Sequence, residues 1–145
     1  MIRFVVYGIP VSQGSKQPFV FKDKKTGKAR AALSETGGKK LAAWRSDVSM
    51  MAQQHRPDEP FDEAVAVNLR FYFLRPKSVS KKKRPYPSVK PDIDKLTRAI
   101  FDALKGKIYT DDARVCELHV YKYYDTTPRV EVEAAEIELA ETCDF

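Results

Sequence analysis

The residues best suited to chemistry in this sequence are aspartates gathered within one short stretch, Asp92, Asp94, Asp102, Asp111 and Asp112. Carboxylate oxygens are the ligands that Mg²⁺ prefers in proteins. Basic side chains precede this stretch and are interspersed in it, which is typical of a surface that meets a polyanion. Acidic residues within a basic surface therefore indicate a hard divalent cation that acts on a phosphate-containing substrate.

Asp92 and Asp94 are the first candidate metal ligands. Pro91 disfavours helical geometry at Lys90, so the chain is expected to arrive at this point extended. If it stays extended through Asp94, the two carboxylates point to the same side, because residues two apart share a face of an extended chain. Two acids held that close repel each other unless a cation lies between them.

Asp112 is the third candidate ligand. The helix predicted after Asp94 carries the chain away, and the following segment must return to the sheet near Asp111 and Asp112. Three converging carboxylates would hold one or two Mg²⁺ ions, which activate water for attack on a phosphodiester. Asp111 is expected to support this site rather than bind the metal.

Arg98 and Asp102 extend the same polar side of the predicted helix, at four-residue steps after Asp94. Arg98 is expected to contact the scissile phosphate and to stabilise its developing charge, with Asp102 holding Arg98 in place. In the plainer interpretation, Asp94 caps the helix and Arg98–Asp102 is a surface pair that contributes a few tenths of a kcal/mol.

The charge distribution predicts where a nucleic acid would lie. The chain has 26 Lys and Arg against 20 Asp and Glu, a net charge of +6. Residues 76–90 contain no acid, and we interpret 76–91 as a basic loop that contacts a DNA backbone, although runs of like charge are often only solvated. The predicted DNA contacts are Lys16, Lys77, Lys81, Lys82, Lys83, Arg84, Lys90 and Lys95.

Other classes of site are not supported by the sequence. An EF-hand would need a glycine and a distal glutamate that the Asp92 region lacks, and no glycine-rich phosphate loop is present. His55 and His119 lie far apart, and Cys116 and Cys143 have no zinc-binding spacing. No membrane span or signal peptide is predicted, and the expected location is the cytoplasm.

The pattern of apolar residues predicts one α+β domain over residues 1–145, with helices packed on a mixed, mostly antiparallel sheet. The last strand is expected to pair back after a turn at 125–128. The predicted strands cover 2–9, 19–21, 28–33, 63–74, 115–124 and 129–139, and the predicted helices have apolar stripes within 41–55 and 96–104.

Two segments together resemble the RusA-type Holliday-junction resolvases. The first is Lys90-Pro91-Asp92-Ile93-Asp94-Lys95-Leu96, which is similar to the D-x-D-N-x-x-K pattern of that family. The second runs from Phe101-Asp102-Ala103-Leu104 to Asp111-Asp112 and the following aliphatic strand. Several anchors in the correct order are far more specific than a lone D-x-D.

The resemblance implies a small homodimeric endonuclease, common in phages and prophages, that uses Mg²⁺ or Mn²⁺ to cut four-way DNA junctions during recombination and repair. The essential acids of the family correspond to Asp92, Asp94 and Asp112, and its essential lysine falls on Arg98. Lys95 stands where the family has asparagine. The alternatives left open are a nuclease for flaps or other branched DNA, and a basic DNA-binding protein without catalysis.

Overall fold

The chain, in a computed structural model that describes residues 1–14, 17–34 and 38–138, forms six strands and two α-helices. The bounds in chain order are β1 Ile2–Tyr7, β2 Gln17–Lys22, β3 Ala29–Ser34, α1 Gly38–His55, β4 Val65–Phe73, α2 Ile93–Leu104, β5 Val115–Tyr124 and β6 Arg129–Glu136. A short 3-10 helix, Asp112–Arg114, precedes β5. No described helix is long and apolar enough to cross a lipid bilayer.

The main sheet has four strands in the order β1-β6-β4-β5. β6 is antiparallel to both β1 and β4, and β5 is parallel to β4. Strands β2 and β3 form a separate hairpin whose turn contains Gly27 at a φ of 69°, in the left-handed region that glycine adopts without strain. The predicted α+β class with a mixed sheet is confirmed.

The placement of β6 differs from the expectation that the last strand pairs back on its predecessor. β5 and β6 are joined by a short turn but lie on opposite sides of β4. The amide of Asp125 donates to the carbonyl of Phe73, which shows that the chain crosses the end of β4 there. The alternating Val130, Val132 and Ala134 explain the central position, because all three are buried under the helices.

The core lies between one face of the main sheet and the two helices. Helix α1 supplies Leu41, Trp44, Val48 and Ala52, as its four-residue spacing predicts. Strand β4 supplies every second residue, Val65 through Phe71, and each of these is fully buried. The helices therefore cover a single face of the sheet, where α1 contacts β1 and α2 contacts α1 and β5.

Candidate active site

Helix α2 positions the predicted catalytic residues, and its apolar stripe explains why it forms where it does. Leu96, Ile100 and Leu104 are fully buried against the sheet. The opposite side of the helix carries Asp94 and Arg98 at four-residue spacing, and both are exposed. Burial of one stripe thus fixes which charged side chains face solvent.

The segment that leads into α2 is held by Lys122, a residue to which the sequence gave no role. Its Nζ donates hydrogen bonds of 2.7 Å to the carbonyls of Val89 and Pro91. Partial burial lowers the pKa of Lys122, while the nearby charge of Asp92 opposes that change. A strand residue of β5 therefore fixes the backbone directly before the first predicted metal ligand.

Asp92 and Asp94 do not have the backbone geometry expected from the sequence. Asp92 is extended, with φ −69° and ψ 140°, and is the N-cap residue of α2, although its side chain makes no capping hydrogen bond. Asp94 already lies in the first helical turn, so the two side chains do not share one side of an extended chain. Packing of the apolar stripe of α2, which begins with the buried Leu96, overrides extension through Asp94.

The Asp92 carboxylate is about half exposed and lies 3.3 Å from the ammonium group of Lys95. Negative charge at the first turn also interacts favourably with the positive end of the helix dipole. Lys95, predicted as a DNA contact, thus pairs with a predicted metal ligand in the single chain.

Asp112 lies at the entrance to β5 and is only partly exposed. Its Oδ1 atom is shielded from solvent and has no hydrogen-bond partner. Burial, followed by the nearby charge of Asp102, raises the pKa of Asp112, while Lys105 opposes this effect. An under-satisfied carboxylate oxygen of this kind is a group that a cation or a hydrogen-bond donor would stabilise.

Two neighbours shape the surroundings of Asp112. Asp111 accepts a hydrogen bond of 3.0 Å from the amide of Ala113, and this bond, helped by Lys105, lowers the pKa of Asp111. Tyr109 is fully buried, and burial together with the Asp112 charge raises the pKa of its hydroxyl. Asp111 is thus the cap of the short helix, and its predicted supporting role at a metal site stays a prediction.

The described part of the chain contains no group of three or more His, Cys, Asp or Glu side chains placed to hold a metal ion. The charges that act on Asp112 come from Asp102, Lys105 and Asp111. The predicted convergence of Asp92, Asp94 and Asp112 is therefore not formed within the single chain. Their oxygens have the right chemistry for Mg²⁺, but the arrangement does not supply three ligands, and their metal-binding role stays a prediction.

Gln13 and Arg45 form a polar network around Asp102 that sequence reasoning missed. Gln13 is buried, its amide nitrogen donates to the Asp102 carboxylate, and its amide oxygen accepts from Arg45 at 3.0 Å. The Arg45 guanidinium also lies 3.9 Å from Asp102. The backbone amide of Gln13 donates to the carbonyl of Lys95 at 2.9 Å, which joins the N-terminal loop to α2.

Of the predicted DNA-binding residues, Lys95 is paired with Asp92 at the start of α2, and Lys16 lies outside the described residues. The exposed members are Lys77, Lys81, Lys82, Lys83 and Lys90, whereas Arg84 is half buried and its Nε atom is shielded without a partner. Arg75 shapes the segment, because its guanidinium donates to the carbonyls of Arg84 and Pro85 and lies 4.5 Å above the Tyr124 ring. The basic segment is thus attached to the end of β4.

On this α+β scaffold, exposed acids at the start of α2 directly follow an acid-free basic segment, an arrangement typical of proteins that act on polyanions. Comparison with known proteins is more specific. Residues 23–135 match the family described as Endodeoxyribonuclease RusA, and the chain belongs to this family. This confirms the resemblance found in the sequence and places the protein among nucleases.

Two relatives are similar in sequence to this chain. The "Uncharacterized protein YqaN" of Bacillus subtilis (strain 168) is 34% identical over 145 residues, which cover 94% of this chain and 96% of that protein. The "Crossover junction endodeoxyribonuclease rusA" of Lactococcus phage r1t is 29% identical over 97 residues, which cover 63% of this chain and 72% of that protein.

Proposed function

We propose that this protein is a divalent-metal-dependent endonuclease that acts as a homodimer on four-way DNA junctions during recombination and repair. Membership of the RusA family supports nuclease activity. The phage relative, named as a crossover junction endodeoxyribonuclease, supports the choice of junction. Two related copies suit this substrate, because a four-way junction is itself two-fold symmetric.

One observation of the structure carries the proposal. The exposed carboxylates of Asp92 and Asp94 lie at the start of α2, immediately after the acid-free basic segment, and Lys122 fixes the join between them. A DNA backbone bound along the basic segment would therefore pass next to these acids. Arg98 lies one turn further along the exposed side of α2, and its proposed role is to contact the same phosphates.

The candidate ligands for Mg²⁺ or Mn²⁺ are Asp92, Asp94 and Asp112. A bound divalent ion in nucleases polarises the phosphodiester and lowers the pKa of a water. Because the single chain does not assemble three ligands, the cation requirement is assigned here from the family and from the donor chemistry. The shielded, unpartnered Oδ1 of Asp112 supports its inclusion.

The basic segment accounts for affinity rather than for sequence selectivity. Lysine contacts to phosphates release counterions, and such binding is independent of base sequence and weakens steeply with salt. Selection of a branched substrate must then arise from the geometry of the two copies relative to the junction.

The proposal is tested by incubating the purified protein with a synthetic four-way junction, a flap and a linear duplex of the same sequence. We expect nicks in opposed strands of the junction with Mg²⁺ or Mn²⁺, much slower cutting of the other two, and no cutting in EDTA. Preferential cleavage of the flap would support a flap nuclease instead. Cutting that persists in EDTA would contradict the metal requirement.

The second candidate function is a basic DNA-binding protein without catalysis. The observation that favours it is the absence, within the described residues, of three converging ligands. This candidate predicts tight, salt-sensitive junction binding with no cleavage under any divalent cation. The same assay therefore separates the two.

A further inference from the structure

The four-stranded sheet has one face without helices, which we call the open face. Alternation along the strands directs every second residue to this face, and the strand registers place these residues in rows. The rows are Tyr7, Arg129, Tyr72 and Tyr123; Val5, Glu131, Arg70 and Tyr121; Arg3, Glu133, Asn68 and His119; and Ala135, Ala66 and Glu117.

Tyrosine is concentrated on the open face. Tyr121 and Tyr123 stack with ring centroids 5.7 Å apart and planes 7° apart, and Tyr72 lies 5.6 Å from Tyr123 on the neighbouring strand. Tyr86 of the basic segment packs on Tyr123 at 6.2 Å. With Tyr7, five of the seven tyrosines of the chain are on or against this face, which is far more than a merely solvated surface requires.

The tyrosines are exposed enough to meet a partner. Tyr7 is 67% exposed, Tyr86 60% and Tyr121 40%. Two arginines hold their guanidinium groups against the rings, Arg129 at 3.8 Å from Tyr72 and Arg70 at 5.9 Å from Tyr121. Tyrosine and arginine are among the residues most enriched at the energetically important positions of protein–protein interfaces.

The open face carries no net charge, although the chain as a whole is +6. Its three arginines are balanced by three glutamates. Arg3 and Arg70 lie 3.2 and 3.3 Å from Glu133, and Arg129 lies 3.2 Å from Glu131. A DNA backbone would therefore gain little here compared with the basic segment, whereas charges that are already paired resist burial less than free ones.

We propose that the open face is the surface on which a second copy of this chain docks. Two chains that each carry +6 repel each other wherever their basic surfaces meet, and the neutral open face lets them approach without that penalty. With equal numbers of arginines and glutamates, the face has no excess of like charge to oppose a second copy across a two-fold axis, the arrangement of an isologous interface. The inference rests on the homodimer of the proposed function and gives it a location.

The test is sedimentation equilibrium of the full chain without DNA or metal, over a range of protein concentrations. The variants are Tyr121→Glu and Tyr7→Glu on the open face. The control is Met50→Glu, which places the same charge on a 58% exposed residue of α1, on the other side of the molecule. Circular dichroism tests whether each variant is folded. If Tyr121→Glu does not fold, the dimerisation of Tyr7→Glu, whose substitution lies at the sheet edge, still tests the proposal.

We expect a dimeric wild type, and dissociation constants raised about 30-fold or more by either open-face substitution, as for interface hot spots. Met50→Glu should dimerise as the wild type does. A monomeric wild type overturns the proposal. A dimer that both tyrosine variants retain also overturns it, whether or not Met50→Glu disrupts that dimer. Loss of single-stranded DNA binding without loss of the dimer would assign the face to DNA instead. Junction cleavage by the wild type is measured separately, so that failure of this inference is distinguishable from failure of the proposed function.

Discussion

Removal of the Lys122 ammonium group should loosen the segment that presents Asp92 to the substrate. In Lys122→Met the apolar stem remains, but the 2.7 Å hydrogen bonds to the carbonyls of Val89 and Pro91 are lost. Nothing else in β5 needs to change, because methionine retains the length of the aliphatic stem. The substitution therefore isolates the function of two hydrogen bonds.

The size of the effect follows from the exposure of the groups involved. A hydrogen bond from a charged donor contributes about 1.5–3 kcal/mol when buried. Val89 is exposed and Lys122 is only partly buried, so water replaces part of each bond, and removal of a partly desolvated charge offsets some of the loss. We expect the free energy of unfolding to fall by about 1–2 kcal/mol in total.

The same loosening should reduce catalysis. The ratio of ordered to displaced segment falls about tenfold, because about 1.4 kcal/mol corresponds to a factor of ten in an equilibrium constant. If a similar free energy holds the segment ordered in the wild type, the competent fraction falls from about nine-tenths to about one-half. The expected result is an about twofold lower rate of junction cleavage under single-turnover conditions, with junction affinity nearly unchanged. Urea unfolding measures the stability term independently.

Lys39→Met provides the control, because Lys39 is exposed on α1. This variant should match the wild type in both assays. If Lys122→Met unfolds at the wild-type urea midpoint and also cuts at the wild-type rate, the two hydrogen bonds do not position the segment, and the argument is refuted.

Three further predictions concern the acids and bases around α2. Because the pKa of Asp112 is raised in the folded protein, its ionisation lowers stability as the pH rises from 3.8 through the folded pKa. Asp112→Asn should therefore be more stable than the wild type at pH 7 by up to about 1 kcal/mol, and this difference should vanish at lower pH. Equal urea midpoints of the two proteins at pH 7 would contradict this prediction. Arg98→Lys should keep junction cleavage within about tenfold if the role of Arg98 is to supply positive charge, and a much larger loss would show that the guanidinium geometry itself is required. Replacement of Lys81–Arg84 by glutamine should weaken binding to any DNA and reduce the slope of log affinity against log salt by up to about 4, whereas an unchanged slope would mean that these residues are only solvated.

Elements with strong local patterns could be predicted from the sequence. The apolar stripe of α2 predicts this helix from the sequence. The helix ends before Gly106, whose φ of 80° few other residues adopt without strain. Strand β4 alternates apolar and polar residues over its whole length, and the structure buries the apolar set. In both cases the signal lies within one segment and needs no knowledge of distant contacts.

Long-range pairing could not be predicted in the same way. The turn between β5 and β6 is short enough for a hairpin, yet the chain crosses β4 and inserts β6 in the middle of the sheet. The choice depends on the burial of Val130 and Val132 under helices that are distant in sequence. Periodicity identified the strand but not its neighbour.

The candidate site shows the same division. Asp92, Asp94 and Asp112 were found because their spacing forms a motif, but whether they meet depends on where α2 begins. The contacts of Gln13 with Asp102 and of Lys122 with Val89 join residues far apart in sequence, so no local pattern indicates them. Sequence reasoning therefore located the acids but not the residues that hold them.

The most direct test of the central claim is single-turnover cleavage of a four-way junction in saturating Mg²⁺ by the wild type and Asp94→Asn. Asp47→Asn provides the matched control, because Asp47 is an exposed aspartate on α1. The account predicts paired nicks by the wild type and by Asp47→Asn, and loss of cleavage by at least about 1,000-fold in Asp94→Asn with junction binding retained. Cleavage by Asp94→Asn at the wild-type rate, or a wild type that binds the junction but never cuts it with any divalent cation, would contradict the account.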